Sequence, residues 1–198
     1  MTTRPTARRS GRRRSRPDVR RLALLLALGL ASTLPAACGQ SESKSAISAN
    51  QREIARLRRE NPEAGRLLAS SPADFQRRVR AAHGPVVVNQ WASWCGPCRY
   101  EFPLFQRLAE RYRGRVTFLG VDAKDNDDDA RRFLARYPTP YGHLKDPDAK
   151  IARVFRGGRS WPTTAFYDSR GQLKYSHQGA YRDESELDAD IRRYALGR

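Results

Sequence analysis

The sequence predicts an α/β domain, a central mixed sheet with helices on both faces, preceded by a signal segment and a linker. Short runs rich in β-branched and aromatic residues, at Val86–Trp91, Arg115–Val121, Thr163–Asp168 and Gln172–Gln178, alternate with stretches whose apolar residues recur every three or four positions. The last two runs flank the turn Ser169-Arg170-Gly171, which reads as an antiparallel hairpin. Leu187, Ile191, Tyr194 and Ala195 then supply the apolar stripe of a closing helix.

From the N-terminus, residues 1–37 read as an export signal, 38–70 as a linker or stalk and 71–198 as the folded domain. Ser41–Asn50 is polar and without period, a linker by composition. Ile54 and Leu57, set among arginines and glutamates, allow a helical turn or two before Asn61-Pro62 interrupts them. The domain is expected to open near Ser71, because Ser71 and Asp74 stand in capping-box spacing around Pro72, with Phe75, Val79 and Ala82 at helical intervals behind them. Gly84-Pro85 ends that helix and starts the central strand. Beyond the cysteines, Phe102, Phe105, Leu108, Ala109 and Tyr112 predict a long amphipathic helix, which Pro103 should kink because proline lacks the helical N–H and crowds the preceding turn.

Asp122–Asp129 is acidic and loop-like. Asp125, Asp127, Asp128 and Asp129 lack the glycine and the closing glutamate of an EF-hand calcium loop, so they are read as caps for the helix marked by Ala130, Phe133, Leu134 and Tyr137. Pro138–Lys145 is a loop or a short strand, and Ile151, Val154 and Phe155 mark a short helix after Asp146-Pro147-Asp148. No internal repeat is evident.

The chemistry concentrates at Trp94-Cys95-Gly96-Pro97-Cys98. Pro97 suits the first turn of a helix, so Cys95 falls at a strand-to-helix corner. Unpaired N–H groups and the positive end of the helix dipole favour a thiolate there, which makes Cys95 the expected nucleophile. Cys98 follows three residues later on the same helical face, placed to attack a mixed disulfide on Cys95. Half of a zinc site is the alternative, but a structural zinc takes four ligands. The only other cysteine is Cys38, and His83, His143 and His177 form no paired ligand motif; they read as core or surface residues.

The chain of 198 residues carries 38 basic and 21 acidic residues, a formal charge of +17. Nine of the arginines, and one acid, lie within residues 1–37, leaving 29 basic against 20 acidic residues in the remainder. Those remaining cations are dispersed rather than blocked, so nothing reads as a nucleic-acid surface; they suit anionic lipid or wall polymer. The arginines precede the 13-residue apolar run Leu22–Leu34, short of the roughly 20 residues of a membrane span, and a small-residue boundary follows: the layout of an export signal. Leu34-Pro35-Ala36-Ala37-Cys38 resembles a lipoprotein box, with Pro35 where that pattern has an aliphatic residue. The resemblance implies a lipid anchor on Cys38. Outside the cytoplasm disulfides persist, yet a bond closing so small a loop restrains the unfolded chain little, so Cys95 and Cys98 are better explained by chemistry than by stabilisation.

Residues 71–196 resemble the thioredoxin superfamily, most closely its exported TlpA/ResA/CcmG-like thiol-disulfide oxidoreductases. Three features carry the resemblance: W-C-G-P-C-x-x-E-x-P from Trp94 to Pro103, the long segment Lys124–Ser160, and Trp161-Pro162-Thr163-Thr164 before a strand. It implies that Pro162 is a cis-proline facing the cysteines, with Trp94, Gly96, Pro97, Trp161 and Pro162 lining the substrate site. It implies that Glu101 is a proton-relaying acid beside the pair. Asn89 replaces the buried aspartate of cytoplasmic thioredoxins, and Trp161 is bulkier than the family's usual residue. The implied activity is thiol-disulfide exchange with protein partners outside the cytoplasm, at the outer face of the membrane or in the periplasm. The redox group is the Cys95–Cys98 pair itself, with no other cofactor and no metal. The Gly-Pro dipeptide points to a reductase fed by an upstream membrane electron donor, serving cytochrome c maturation, and the protein is expected to be a monomer. The alternatives are an exported thiol oxidase, a peroxidase-like redoxin, and a copper-binding chaperone.

Overall fold

The computed structural model describes residues 38–198, with side chains from Ser45 onward. The signal segment and the lipidation of Cys38 lie outside the described residues. At the centre of the sheet is β2 (Val86–Trp91), buried at all six positions. Its β-branched start suits a strand enclosed on both faces. It pairs in parallel with β3 (Thr117–Ala123) and antiparallel with β5 (Thr163–Tyr167). With β1 (Leu67–Leu68), β4 (His143–Asp146) and β6 (Leu173–Gln178) the order is β1-β4-β3-β2-β5-β6, the first four parallel and the hairpin β5-β6 antiparallel.

The alternation along β2 divides the core. Val86 and Val88 pack with Phe75 and Val79 of α2 (Pro72–Ala81) and Ile151 of α5 (Lys150–Val154). Val87 packs on the other face with Phe105 and Leu108 of α3 (Gly96–Arg111) and Leu187 of α6 (Glu184–Asp190), which runs on as a π-helical turn, Ile191–Ala195. A third cluster joins Trp91, Cys95, Cys98 and Phe102 to Phe133 and Leu134 of α4 (Asp127–Arg136). The predicted cap of α2 is present: Ser71 Oγ accepts from Asp74 N at 3.2 Å, and Ser71 N donates to the Asp74 carboxylate at 3.1 Å.

The linker reading needs correction. Ser41–Asn50 is helical, part of α1 (Cys38–Glu60), and α1 is docked on the domain. Leu57 is buried, and Asn50 Nδ2 donates to the carbonyls of Arg136 (2.9 Å) and Ala135 (3.3 Å), closing the end of α4. Ion pairs from Arg56 to Glu53 and Glu60 support the last turns. The Ser-rich half has no apolar stripe, so it gave no periodic signal; it continues a helix anchored further on. The sheet likewise begins before Ser71, at Leu67–Leu68, a strand too short to show alternation. β3 lies two residues later than Arg115–Val121, and β4 resolves the loop-or-strand reading as a strand. Among the described residues no helix is long and apolar enough to cross a membrane.

Gly120, in the middle of β3, marks a close approach. His143 is fully buried over it, and a Cβ at Gly120 would overlap the imidazole Nδ1. Nδ1 accepts from Trp91 Nε1 at 3.0 Å. Thr139 Oγ1 donates to the Tyr141 carbonyl, so Nε2 is the protonated nitrogen, donating to Thr139 Oγ1 at 2.7 Å. Burial pushes the imidazole down to about 3, which keeps it neutral. Gly120→Ala is expected to cost about 2–3 kcal/mol, read as a lower urea midpoint at unchanged slope.

Candidate active site

Cys95 caps the N-terminus of α3 in extended conformation, with Gly96 and Pro97 opening the helix. Its Sγ accepts from Cys98 N at 3.1 Å. Cys95 and Cys98 are joined by a disulfide, their Cα atoms 5.3 Å apart, and in that state neither sulfur is free to ligate zinc. Both are buried, Cys98 the more deeply. When the bond is opened, the helix N-terminus and the Cys98 amide face the Cys95 sulfur, a setting that favours negative charge.

Two aromatic residues bracket the corner. Trp94, 57% exposed, lies 5.4 Å from Trp161 between ring centroids. The Trp161–Pro162 bond is cis, as the family resemblance implied, and Trp161 packs against the cluster that holds both sulfurs. Tyr100, 63% exposed, stands on the other side of α3, its hydroxyl donating to the Arg182 carbonyl at 2.9 Å.

Three consecutive residues at the end of β2 hold three parts of the site. Asn89 Nδ2 donates to Glu101 Oε1 at 2.6 Å. Gln90 points to the opposite face, where its amide donates to the Ser160 carbonyl (2.8 Å) and its oxygen accepts from Gly158 N (2.6 Å), pinning the segment that leads to Pro162. Trp91 holds His143. Glu101, one helical turn after Cys98, is completely buried and receives only the Asn89 amide and, at 3.4 Å, Tyr181 N. Burial pushes its carboxyl up to about 8, against the smaller pull of those two donors. The Glu101 carboxyl is thus more deeply enclosed than the partly desolvated acid the resemblance implied.

The thioredoxin family model matches residues 66–153. A thiol:disulfide interchange protein DsbE homologue of Paracoccus denitrificans is 32% identical over 126 residues, which are 63% of this chain and 68% of that protein. The thiol:disulfide interchange protein DsbE of Pseudomonas fluorescens is 33% identical over 50% of this chain and 57% of its own, so the chain spans little more than half of that relative. The solved structure assigned as thiol:disulfide interchange protein DsbE from Chlorobium tepidum superposes with a TM-score of 0.53 at 27% identity, over 60% of this chain and 83% of that one. The chain belongs to the thioredoxin-fold family of thiol:disulfide interchange proteins. It is a thiol-disulfide oxidoreductase.

Sequence reasoning missed how this thioredoxin-fold chain fastens its corner. Asp125, read as part of a capping cluster, precedes the cap; Asn126 is the N-cap of α4, accepting from Asp129 N at 2.9 Å. The Asp125 carboxylate instead accepts from Ser93 N and, at 2.9 Å, from Ser93 Oγ. The same loop receives Trp94 Nε1 on the Lys124 carbonyl (2.9 Å) and Trp161 Nε1 on the Ala123 carbonyl (3.2 Å). Both walls of the site therefore hang on Ala123–Asp125. Beneath it Asp122 is buried, and burial together with the charge of Asp125 pushes its carboxyl up to about 8. The available signal was Ser93, a polar residue inside an otherwise apolar corner. Asp125→Ala is expected to slow exchange about tenfold, the equivalent of one charge-assisted hydrogen bond of about 1.5 kcal/mol, with far-UV circular dichroism unchanged.

Proposed function

We propose that this protein is an exported, lipid-anchored reductase of protein disulfides outside the cytoplasm, acting as a monomer, with cytochrome c maturation as its setting. The observation that carries the reading is the Cys95–Cys98 disulfide at the mouth of α3, with the Cys98 amide directed at the Cys95 sulfur. The named relatives are thiol:disulfide interchange proteins. The arginine-led apolar segment before Cys38 supports export. The Gly-Pro dipeptide is that of reducing thioredoxins, at about −270 mV against about −120 mV for the oxidant DsbA.

In the reducing direction the Cys95 thiolate attacks one sulfur of the substrate disulfide; that S–S bond breaks and the departing thiolate takes up a proton. Cys98 gives up its proton and attacks the Cys95 sulfur, closing the internal disulfide and releasing the second substrate thiolate. Two electrons pass from the dithiol to the substrate, and a membrane-bound dithiol donor returns them. The pair itself is the redox group. Glu101 titrates near pH 8, where thiols also titrate, so it suits holding the proton that Cys98 releases. An extended substrate segment lies against the Trp161-Pro162 loop, with the exposed Trp94 ring, packed on Trp161, beside it.

Equilibration against glutathione, followed by the tryptophan emission of Trp94 and Trp161, tests the direction. A potential near that of thioredoxin is expected; one near that of DsbA makes the protein an oxidase. Cys98→Ala expressed in the native envelope should trap partners bearing Cys-x-x-Cys-His, the haem-attachment pattern; trapping only proteins without it removes the cytochrome setting.

A further inference from the structure

Beside the dithiol, between the start of α3 and the end of α4, runs an open groove of about 620 Å³ whose lining includes Trp94, Arg99, Asp129, Arg132, Arg136 and Tyr137. Two of its three arginines, Arg99 and Arg136, differ from the third and from their neighbours. On α3 and α4, Arg107 and Arg111 pair with Glu184, Arg131 with Asp127, and Arg132 with Asp129. Among the described residues, Arg99 and Arg136 form no ion pair; the side-chain hydrogen bond of Arg99 is a long one, 3.4 Å, to the Ser93 carbonyl.

Arg136 ends α4, where a cation complements the helix dipole. Arg99 has no such reason. It sits in the first turn of α3, at the positive end of the dipole, where no acidic residue offsets it. A cation there is unfavourable within the isolated fold and favourable only if something anionic arrives. In the same groove is the exposed ring of Trp94, and aromatic residues with arginine are the side chains that dominate protein–protein hot spots.

We propose that this groove docks an acidic segment of the partner polypeptide, adjacent to the partner's reactive cysteine. The proposal rests on the oxidoreductase reading and names the substrate class: disulfides flanked by Asp or Glu. The acidic flank engages Arg99 and Arg136 while the disulfide meets Cys95, so charge sets the rate of productive encounter.

The test uses the full chain, reduced with dithiothreitol and desalted, and three peptide disulfides of one length whose cysteine is flanked by Glu, by Gln or by Lys. The second-order rate of reduction is expected to rise about three- to tenfold from Lys to Gln and again from Gln to Glu at low ionic strength, and the spread to collapse in 0.5 M salt, where the Debye length is only a few ångströms. Arg99→Gln with Arg136→Gln should flatten the order, and Arg99→Glu with Arg136→Glu should invert it. The double variant Arg107→Gln, Arg111→Gln, on a paired stretch of α3, should keep it. Equal rates for the three peptides, or an order that survives loss of Arg99 and Arg136, overturns the docking site alone. If those two replacements weaken adsorption to phosphatidylglycerol vesicles and leave the peptide order intact, the groove is a membrane contact and the proposal fails. Inertness toward all three peptides overturns the oxidoreductase reading with it.

Discussion

Cys95→Ser is expected to lower dithiothreitol-driven insulin reduction by about 10³-fold or more, to the uncatalysed background, because Cys95 is the sulfur that caps the helix and Cys98 is the more deeply buried of the two. Cys98→Ala should behave differently. Its Cys95 still attacks, so with a disulfide substrate and no added dithiol a mixed disulfide accumulates, visible as a reductant-sensitive shift on a gel; the second substrate thiolate is not released because the resolving thiol is gone. Equal loss of the first attack in both variants would mean that the two sulfurs do not divide the work.

Glu101→Gln should change how stability depends on pH. In the folded domain the carboxyl keeps its proton up to about 8, whereas its ordinary value is 4.5. Between those limits the folded state binds the extra proton, so the contribution is complete below about pH 4.5 and is lost as pH rises toward 8. Relative to wild type, Glu101→Gln should therefore gain stability with rising pH across this window, at a slope approaching about 1.4 kcal/mol per unit. Asp122, pushed up to about 8 as well, adds a loss in the same direction, and buried neutral His143 adds the opposite one below its ordinary 6.5. The difference between variant and wild type isolates Glu101 from both. In exchange assays wild type should show an inflection near pH 8 that the glutamine variant lacks; identical pH–rate profiles would remove Glu101 from proton handling while leaving its burial as a packing matter.

The parts of this molecule that were legible in the sequence are those where a local rule and the tertiary structure agree. The capping box at Ser71, the β-branched start of β2 and the Gly96-Pro97 opening of α3 are each readable within a few residues, and together they place Cys95 at its corner. The cis bond at Pro162 and the singling out of Glu101 were reachable only through the family resemblance, because nothing local distinguishes the buried Glu101 from a solvated helix glutamate. The remainder depends on residues far apart in the chain. Gly120 is needed by His143, the loop before Pro162 is fixed by Gln90, and the turn at Ser93 is fastened by Asp125, thirty-two positions on. An acidic run next to a helix start reads as capping whether or not one of its members reaches across to the catalytic turn.

The central claim is that the mouth of α3 makes Cys95 the readily ionised sulfur of the pair. The direct measurement is the rate of iodoacetamide alkylation of the reduced chain against pH, with the modified cysteine identified by peptide mass. Cys95 should react preferentially and reach half its maximal rate well below the roughly 8.5 at which free cysteine ionises. Preferential modification of Cys98, or a Cys95 profile that coincides with free cysteine, would contradict it.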